Sequence, residues 1–117
     1  MKWIFIVLII GFIVWRMMPA KGVRTISVEN LKEVLKDQSK QFIDVRTPGE
    51  YKGRHIQEFK NFPLNELKTN LRNLDSSKAT FVICQSGMRS SQAAKVLKKA
   101  GFVDVVNVSG GMSAWRG

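Results

Sequence analysis

The sequence predicts an α/β domain with a mostly parallel sheet and helices on both faces. Short apolar runs rich in Val, Ile and Phe alternate with segments whose leucines recur at helical spacing. Gly, Pro and Asn punctuate the changes, and no repeat or low-complexity tract breaks the series. Such alternation is the mark of layered α/β architecture, in which ligands bind beyond the carboxyl ends of the strands. The 117 residues leave room for one domain of ordinary size.

The first segment stands apart from that domain. Residues 1–18 read MKWIFIVLIIGFIVWRMM, uncharged from Trp3 to Trp15. A helix over all of them reaches ~27 Å, close to the ~30 Å of a hydrocarbon core if Lys2 and Arg16 snorkel. Trp3 and Trp15 sit where interfacial anchors belong. The expectation is an N-terminal transmembrane anchor over 1–18, a linker over 19–23 and one domain over 24–117. A signal peptide fits less well, because Met17 to Lys21 is a poor cleavage site. A buried core helix is the other alternative, but the segment is apolar on every face. Arg16, Lys21 and Arg24 on the downstream side favour a cytoplasmic C-terminal domain at a cell membrane. A lone cysteine, unable to form an intrachain disulfide, agrees with a reducing compartment.

Within the domain, Thr25 to Val28 is a short strand or lead-in. A helix opens at Ser27 or Glu29, with Leu31, Val34 and Leu35 on one face. Gln41 to Val45 reads as a strand, closed by the loop signals Thr47, Pro48 and Gly49. Glu50 to Gly53 makes one helical turn, and Phe59 to Phe62 is extended up to Pro63. Leu64, Leu67, Leu71 and Leu74 mark one face of the next helix. Phe81 to Cys84 is the central strand. A helix runs from Gln92 to Ala100, opened by Ser90 or Ser91 and capped by Gly101. Val103 to Val108 is the last strand, ending at Gly110 and Gly111.

The central strand carries the chemistry. It delivers the single cysteine to its carboxyl end, and Gln85, Ser86, Gly87, Met88, Arg89 and Ser90 lead from there into a helix. Backbone N–H groups of such a loop form a nest for an anion, the helix dipole adds partial positive charge, and Arg89 adds a full one. A thiol there has its pKa lowered. A lone cysteine at a strand end is commonly a small buried hydrophobe. The flanking Gly87, Arg89 and paired serines argue for the reactive reading.

The formal net charge is +10. The lysines are spread along helices, as in KEVLK and KVLKK, without interleaved aromatics, which argues against a nucleic-acid partner and for a solvated basic surface near an anionic membrane. One Cys and one His cannot close a metal site, so no metal or other cofactor is expected.

Three motifs resemble those of single-domain rhodaneses, from about residue 24 to 117. The first is Asp44-Val45-Arg46-Thr47-Pro48-Gly49-Glu50-Tyr51-Lys52-Gly53-Arg54-His55-Ile56, with Asn61-Phe62-Pro63-Leu64 after it. The second is Cys84-Gln85-Ser86-Gly87-Met88-Arg89-Ser90, and the third is Val108-Ser109-Gly110-Gly111-Met112-Ser113-Ala114-Trp115. The resemblance implies a sulfurtransferase in which Cys84 takes sulfur from a donor such as thiosulfate and passes it, as a persulfide, to cyanide or a thiol. It implies substrate binding by residues 85–90. Asp44 and Arg46 either border the pocket or pair structurally. His55 is expected to hold its loop by hydrogen bonds rather than to catalyse. Arg54 stands where many relatives have glycine. Gly110 and Gly111 are expected to form a tight turn, and Trp115 a packing anchor.

Cell-cycle-type phosphatases and arsenate reductases share this fold, but their Cys…Arg loop is one residue longer than the six residues from Cys84 to Arg89. A membrane-tethered interaction or regulatory module of the same fold is the remaining alternative. The intact cysteine loop favours the enzyme. Oligomeric state is not legible.

Overall fold

The computed structural model describes residues 2–17 and 22–116. Helix α1 (Lys2–Met17) comes first. Its large apolar side chains from Trp3 to Val14 are exposed. The expected transmembrane anchor is not supported: at 1.5 Å per residue α1 rises about 24 Å, short of a ~30 Å hydrocarbon core. Among the described residues no helix is long and apolar enough to cross a membrane. Met1 and Met18, and residues 19–21 of the expected linker, lie outside the described residues.

Among the described residues five strands form one parallel sheet: β1 (Val23–Ile26), β2 (Gln41–Asp44), β3 (Lys60–Asn61), β4 (Thr80–Ile83) and β5 (Val105–Val108). Their order across the sheet is β1-β5-β4-β2-β3. The expected α/β class with a parallel sheet is therefore present. β4 is central and buried along its whole length, which explains why its sequence is continuously apolar rather than alternating.

Side chains of a strand alternate between faces, and the two cores follow that alternation. On one face Phe42, Phe81, Ile83, Val106 and Val108 pack with Val28 and Leu31 of α2 (Val28–Val34) and Met112 of α6 (Gly111–Ala114). On the other, Ile43, Val45, Val82, Cys84 and Val105 pack with Ala93, Ala94 and Leu97 of α5 (Met88–Lys99) and Leu67 of α4 (Leu67–Asn70). Cys84 therefore belongs to the α5 face.

Several element boundaries differ from expectation for local reasons. Ser27 caps α2 by accepting from the Asn30 N–H, which ends β1 at Ile26 and puts Val28 in the helix. Helix α3 (Pro48–Gly53) begins inside the expected loop, because Thr47 and Glu50 form a reciprocal capping box. The expected leucine-faced helix breaks into 3₁₀ turns on either side of α4. There Thr69 Oγ1 and Asn70 Nδ2 both donate to the Glu66 carbonyl, competing with the regular ladder. α5 starts at Met88 rather than near Ser90 or Ser91, since Gly87 at φ +107° makes the turn into it. Val103 precedes β5 and is exposed.

Candidate active site

Cys84 follows the last residue of β4 and is fully buried. The chain then turns through Gln85, Ser86 and Gly87 into α5, wrapping the sulfur. The Gly87 N–H donates to Cys84 Sγ at 2.9 Å. The Cys84 thiol donates to Ser90 Oγ at 3.4 Å. Burial pushes the thiol up, but the Ser90 hydroxyl and the N–H groups of Ser90, Gly87 and Ser86 outweigh it and hold the thiol below its ordinary value. The anion nest expected of this loop is thus built around the sulfur itself, at the N-terminus of a 12-residue helix.

The opposite side of the loop is fixed by α6. Met112 N–H donates to the Cys84 carbonyl at 2.8 Å and Ser113 N–H to the Gln85 carbonyl at 2.9 Å. Gly111, at φ +57°, permits this approach; a side chain there would run into the Cys84 and Gln85 carbonyls. The expected tight turn at Gly110 and Gly111 is a docking contact as well. Trp115, half-buried, packs against the α2 face and accepts from Arg54 Nη2 through its carbonyl at 2.8 Å.

Arg89 does not reach for the sulfur. Its Nη1 and Nη2 donate to the two Glu50 carboxylate oxygens at 2.7 and 3.0 Å. Arg89 holds the Glu50 carboxyl down at about 2, with the Thr47 N–H and hydroxyl assisting against partial burial. Beside Arg89 lies a hollow of about 280 Å³ lined also by Val45, Thr47, Pro63, Leu64 and Asn65. Met88, at the rim of the loop, is 74% exposed.

Asp44 and Arg46 are buried and closed on one another. Arg46 Nε and Nη2 donate to the Asp44 carboxylate at 2.8 to 3.1 Å. Arg46 Nη2 also donates to the Arg54 carbonyl at 2.6 Å, and Nη1 to Gln85 Oε1 at 3.3 Å. The structure thus brings the pair beside the loop through Gln85, whose Nε2 donates to Ser113 Oγ at 3.2 Å. His55 is exposed and stacked on Tyr51, its Nδ1 2.7 Å from the Tyr51 carbonyl oxygen.

Two residues at the site were not singled out from the sequence. Glu50 carries the Arg89 pairing, and its T-x-x-E spacing from Thr47 is a recognisable helix-start signal. Asn107 accepts from the Ser90 hydroxyl at 2.6 Å. Its signal is weaker: one polar residue inside the apolar run Val105–Val108, at a position facing α5.

With this geometry in hand, comparisons with known proteins agree. The Rhodanese-like domain family model matches residues 27–117. The chain is 38% identical over 99 residues to "Putative sulfur carrier protein YrkF" of Bacillus subtilis, covering 84% of this chain and 54% of that protein. It is 32% identical over 84 residues to "Thiosulfate sulfurtransferase GlpE" of Pseudomonas syringae, covering 72% and 79%. The crystal structure of a rhodanese-like domain protein from Staphylococcus aureus superposes with TM-score 0.74 at 32% identity, covering 80% of this chain and 91% of that one. The chain spans between 51% and 61% of the lengths of three curated proteins it matches, YrkF among them. A cysteine held at the end of the central strand by the turn into α5, together with a family match over nearly the whole described domain, establishes that the chain belongs to the rhodanese-like family.

Proposed function

We propose that the protein is a sulfurtransferase that carries sulfane sulfur on Cys84. The observation that carries the proposal is one buried sulfur at the end of β4, meeting the Gly87 N–H at 2.9 Å and the Ser90 hydroxyl at 3.4 Å, with the turn into α5 wrapped about it. These groups stabilise negative charge on Sγ, which the thiolate requires both as the attacking nucleophile and as the group restored when the persulfide gives up its outer sulfur. The Cys84 thiolate attacks the outer sulfur of thiosulfate; that sulfur's bond to the central sulfur breaks and sulfite leaves with the electron pair. The resulting Cys84 persulfide anion then gives its outer sulfur to cyanide or to a thiolate, and the Cys84 thiolate is restored. Cys84 is the chain's single cysteine, so no second thiol of the chain resolves the persulfide and the acceptor comes from outside.

Incubating the full-length chain with thiosulfate and reading its intact mass tests this. One added sulfur on Cys84, lost on adding cyanide with release of thiocyanate, is the expected result. A folded chain that gains no sulfur from thiosulfate or from a persulfide donor would point to an interaction module.

The proposal also places the chain at a cell membrane through α1, with the domain on the cytoplasmic side. The exposed apolar surface of α1 supports association, and the basic residues Arg16, Lys21 and Arg24 suit the anionic cytoplasmic leaflet. Flotation of the full-length chain with anionic liposomes tests it; a chain that stays wholly in the aqueous fraction removes it.

A further inference from the structure

Asn107 is the point of interest. In register, Asn107 pairs with Val82 of β4, two residues before Cys84. Period-two alternation therefore puts Asn107 on the face shared by Val82 and Cys84, beneath the first turn of α5. There it meets Ser90. The Ser90 hydroxyl is fully buried, 2.6 Å from Asn107 Oδ1, 3.1 Å from the Gly87 carbonyl oxygen and 3.4 Å from Cys84 Sγ.

A hydroxyl has one proton to give. With Cys84 as a thiol, Ser90 Oγ accepts a hydrogen bond from it and directs its own proton toward Asn107 or Gly87. Once the thiol proton has gone to solvent, the sulfur becomes an acceptor and calls for the Ser90 proton. Ser90 Oγ then needs a donor in place of the one it lost. A carboxamide supplies this, because a half-turn exchanges its oxygen for its NH₂ group.

We propose that Asn107 is a positioning residue for the Cys84 sulfur, its carboxamide directing the single Ser90 proton away from the thiol and toward the anionic sulfur. The inference rests on Cys84 being the nucleophile. Asn107 acts through Ser90, whose hydroxyl stands between it and the sulfur. Arg89 acts on the sulfur through space, while the charged groups nearby direct their hydrogen bonds elsewhere. Arg89 on α5 is closed on Glu50 of α3, and Arg46, just after β2, is closed on Asp44 at the end of β2. β5 and α6 contribute no charged side chain.

Cys84 is the single thiol of the chain, so iodoacetamide labelling across pH reports on it alone. The midpoint reads ionisation, and the plateau rate reads access. Asn107→Asp and Asn107→Leu are each made in the wild-type chain and in Ser90→Ala. Asp accepts only, so Asn107→Asp is expected to raise the midpoint by about one unit, a tenfold loss of thiolate at a fixed pH below it. In Ser90→Ala that shift is expected to fall to less than half. Asn107→Leu, apolar in an apolar strand, is expected to raise the midpoint less and to have no effect in Ser90→Ala. Circular dichroism confirms folding, and the Leu variant keeps the test decisive if Asp unfolds the chain. Equal shifts in both backgrounds, or no shift from either variant, overturn the proposal. Because labelling needs no sulfur donor, a chain that fails to accept sulfur yet shows this coupling would overturn the transfer reaction and leave the Asn107 role standing.

Discussion

Arg89 and Glu50, 39 positions apart in sequence, meet as a two-pronged ion pair that ties the start of α5 to α3. The cation of the cysteine loop is therefore held by a neighbour, and the Ser90 hydroxyl with the backbone N–H groups of the loop carries the hydrogen bonding to the sulfur. The pair is about one-third exposed on each side, so solvent screens it. Glu50→Gln is expected to cost about 0.5–1 kcal/mol, a few degrees in Tm. Glu50 titrates near 2 in the folded chain, below the ordinary 4.5. A depressed carboxyl stabilises the fold above its ordinary pKa and loses that contribution as pH falls from 4.5 toward 2. Thermal melts across that window are expected to show a shallower decline for Glu50→Gln.

The cysteine itself should react at lower pH than an ordinary thiol. Its ionised form is the stabilised one, so labelling is expected to remain fast until pH falls below a midpoint under the usual value. Ser90→Ala removes one donor and is expected to move that midpoint upward. A midpoint unchanged in Ser90→Ala would show that the backbone N–H groups suffice.

Cys84→Ser replaces sulfur by a smaller oxygen that can still meet Gly87 N–H and Ser90. The variant is expected to gain no sulfur from thiosulfate in intact-mass measurements. Its stability is expected to change by no more than about 1 kcal/mol, within the range of a single hydrogen bond. Sulfur bound covalently to the variant would locate the chemistry elsewhere.

Removing Arg46 strands a buried carboxylate. Arg46→Ala is expected to lower stability by about 3–5 kcal/mol, because Asp44 is fully buried and loses its counter-charge. Urea titration followed by circular dichroism checks this. A loss below about 1 kcal/mol would mean that water reaches Asp44 in the variant.

Gly111→Ala places a methyl group against the Cys84 and Gln85 carbonyls, at a backbone angle that L-residues avoid. The left-handed conformation alone costs about 1–2 kcal/mol, and the clash adds to it. A lower Tm is expected together with faster labelling of Cys84, since α6 is pushed off the loop. Faster labelling without loss of Tm would indicate that α6 shifts freely.

Much of this was legible along the chain. Apolar runs and helical leucine spacing reported the α/β class, because burial imposes its period on sequence. Cys84 and its loop were legible because glycine, serine and arginine after a buried strand serve little purpose in a core. The break around α4 was not, since the leucine spacing was right and side-chain competition for the Glu66 carbonyl overrode it. The spanning role expected of residues 1–18 rested on a length that α1, at 16 residues, does not reach.

By itself, the sequence determined the order of elements, the strand that ends in the thiol and the backbone donors that follow it, because these depend on neighbours within a few residues. Only the tertiary structure decided the partners. Parallel pairing set β5 beside β4 and brought Asn107 under Ser90. The packing of α3 against the start of α5 gave Arg89 to Glu50 rather than to the sulfur. Such partners are separated by long stretches of chain, and hydrogen bonds reach only about 3 Å. Which distant groups meet at that range is a property of the sheet order, and no local pattern encodes it.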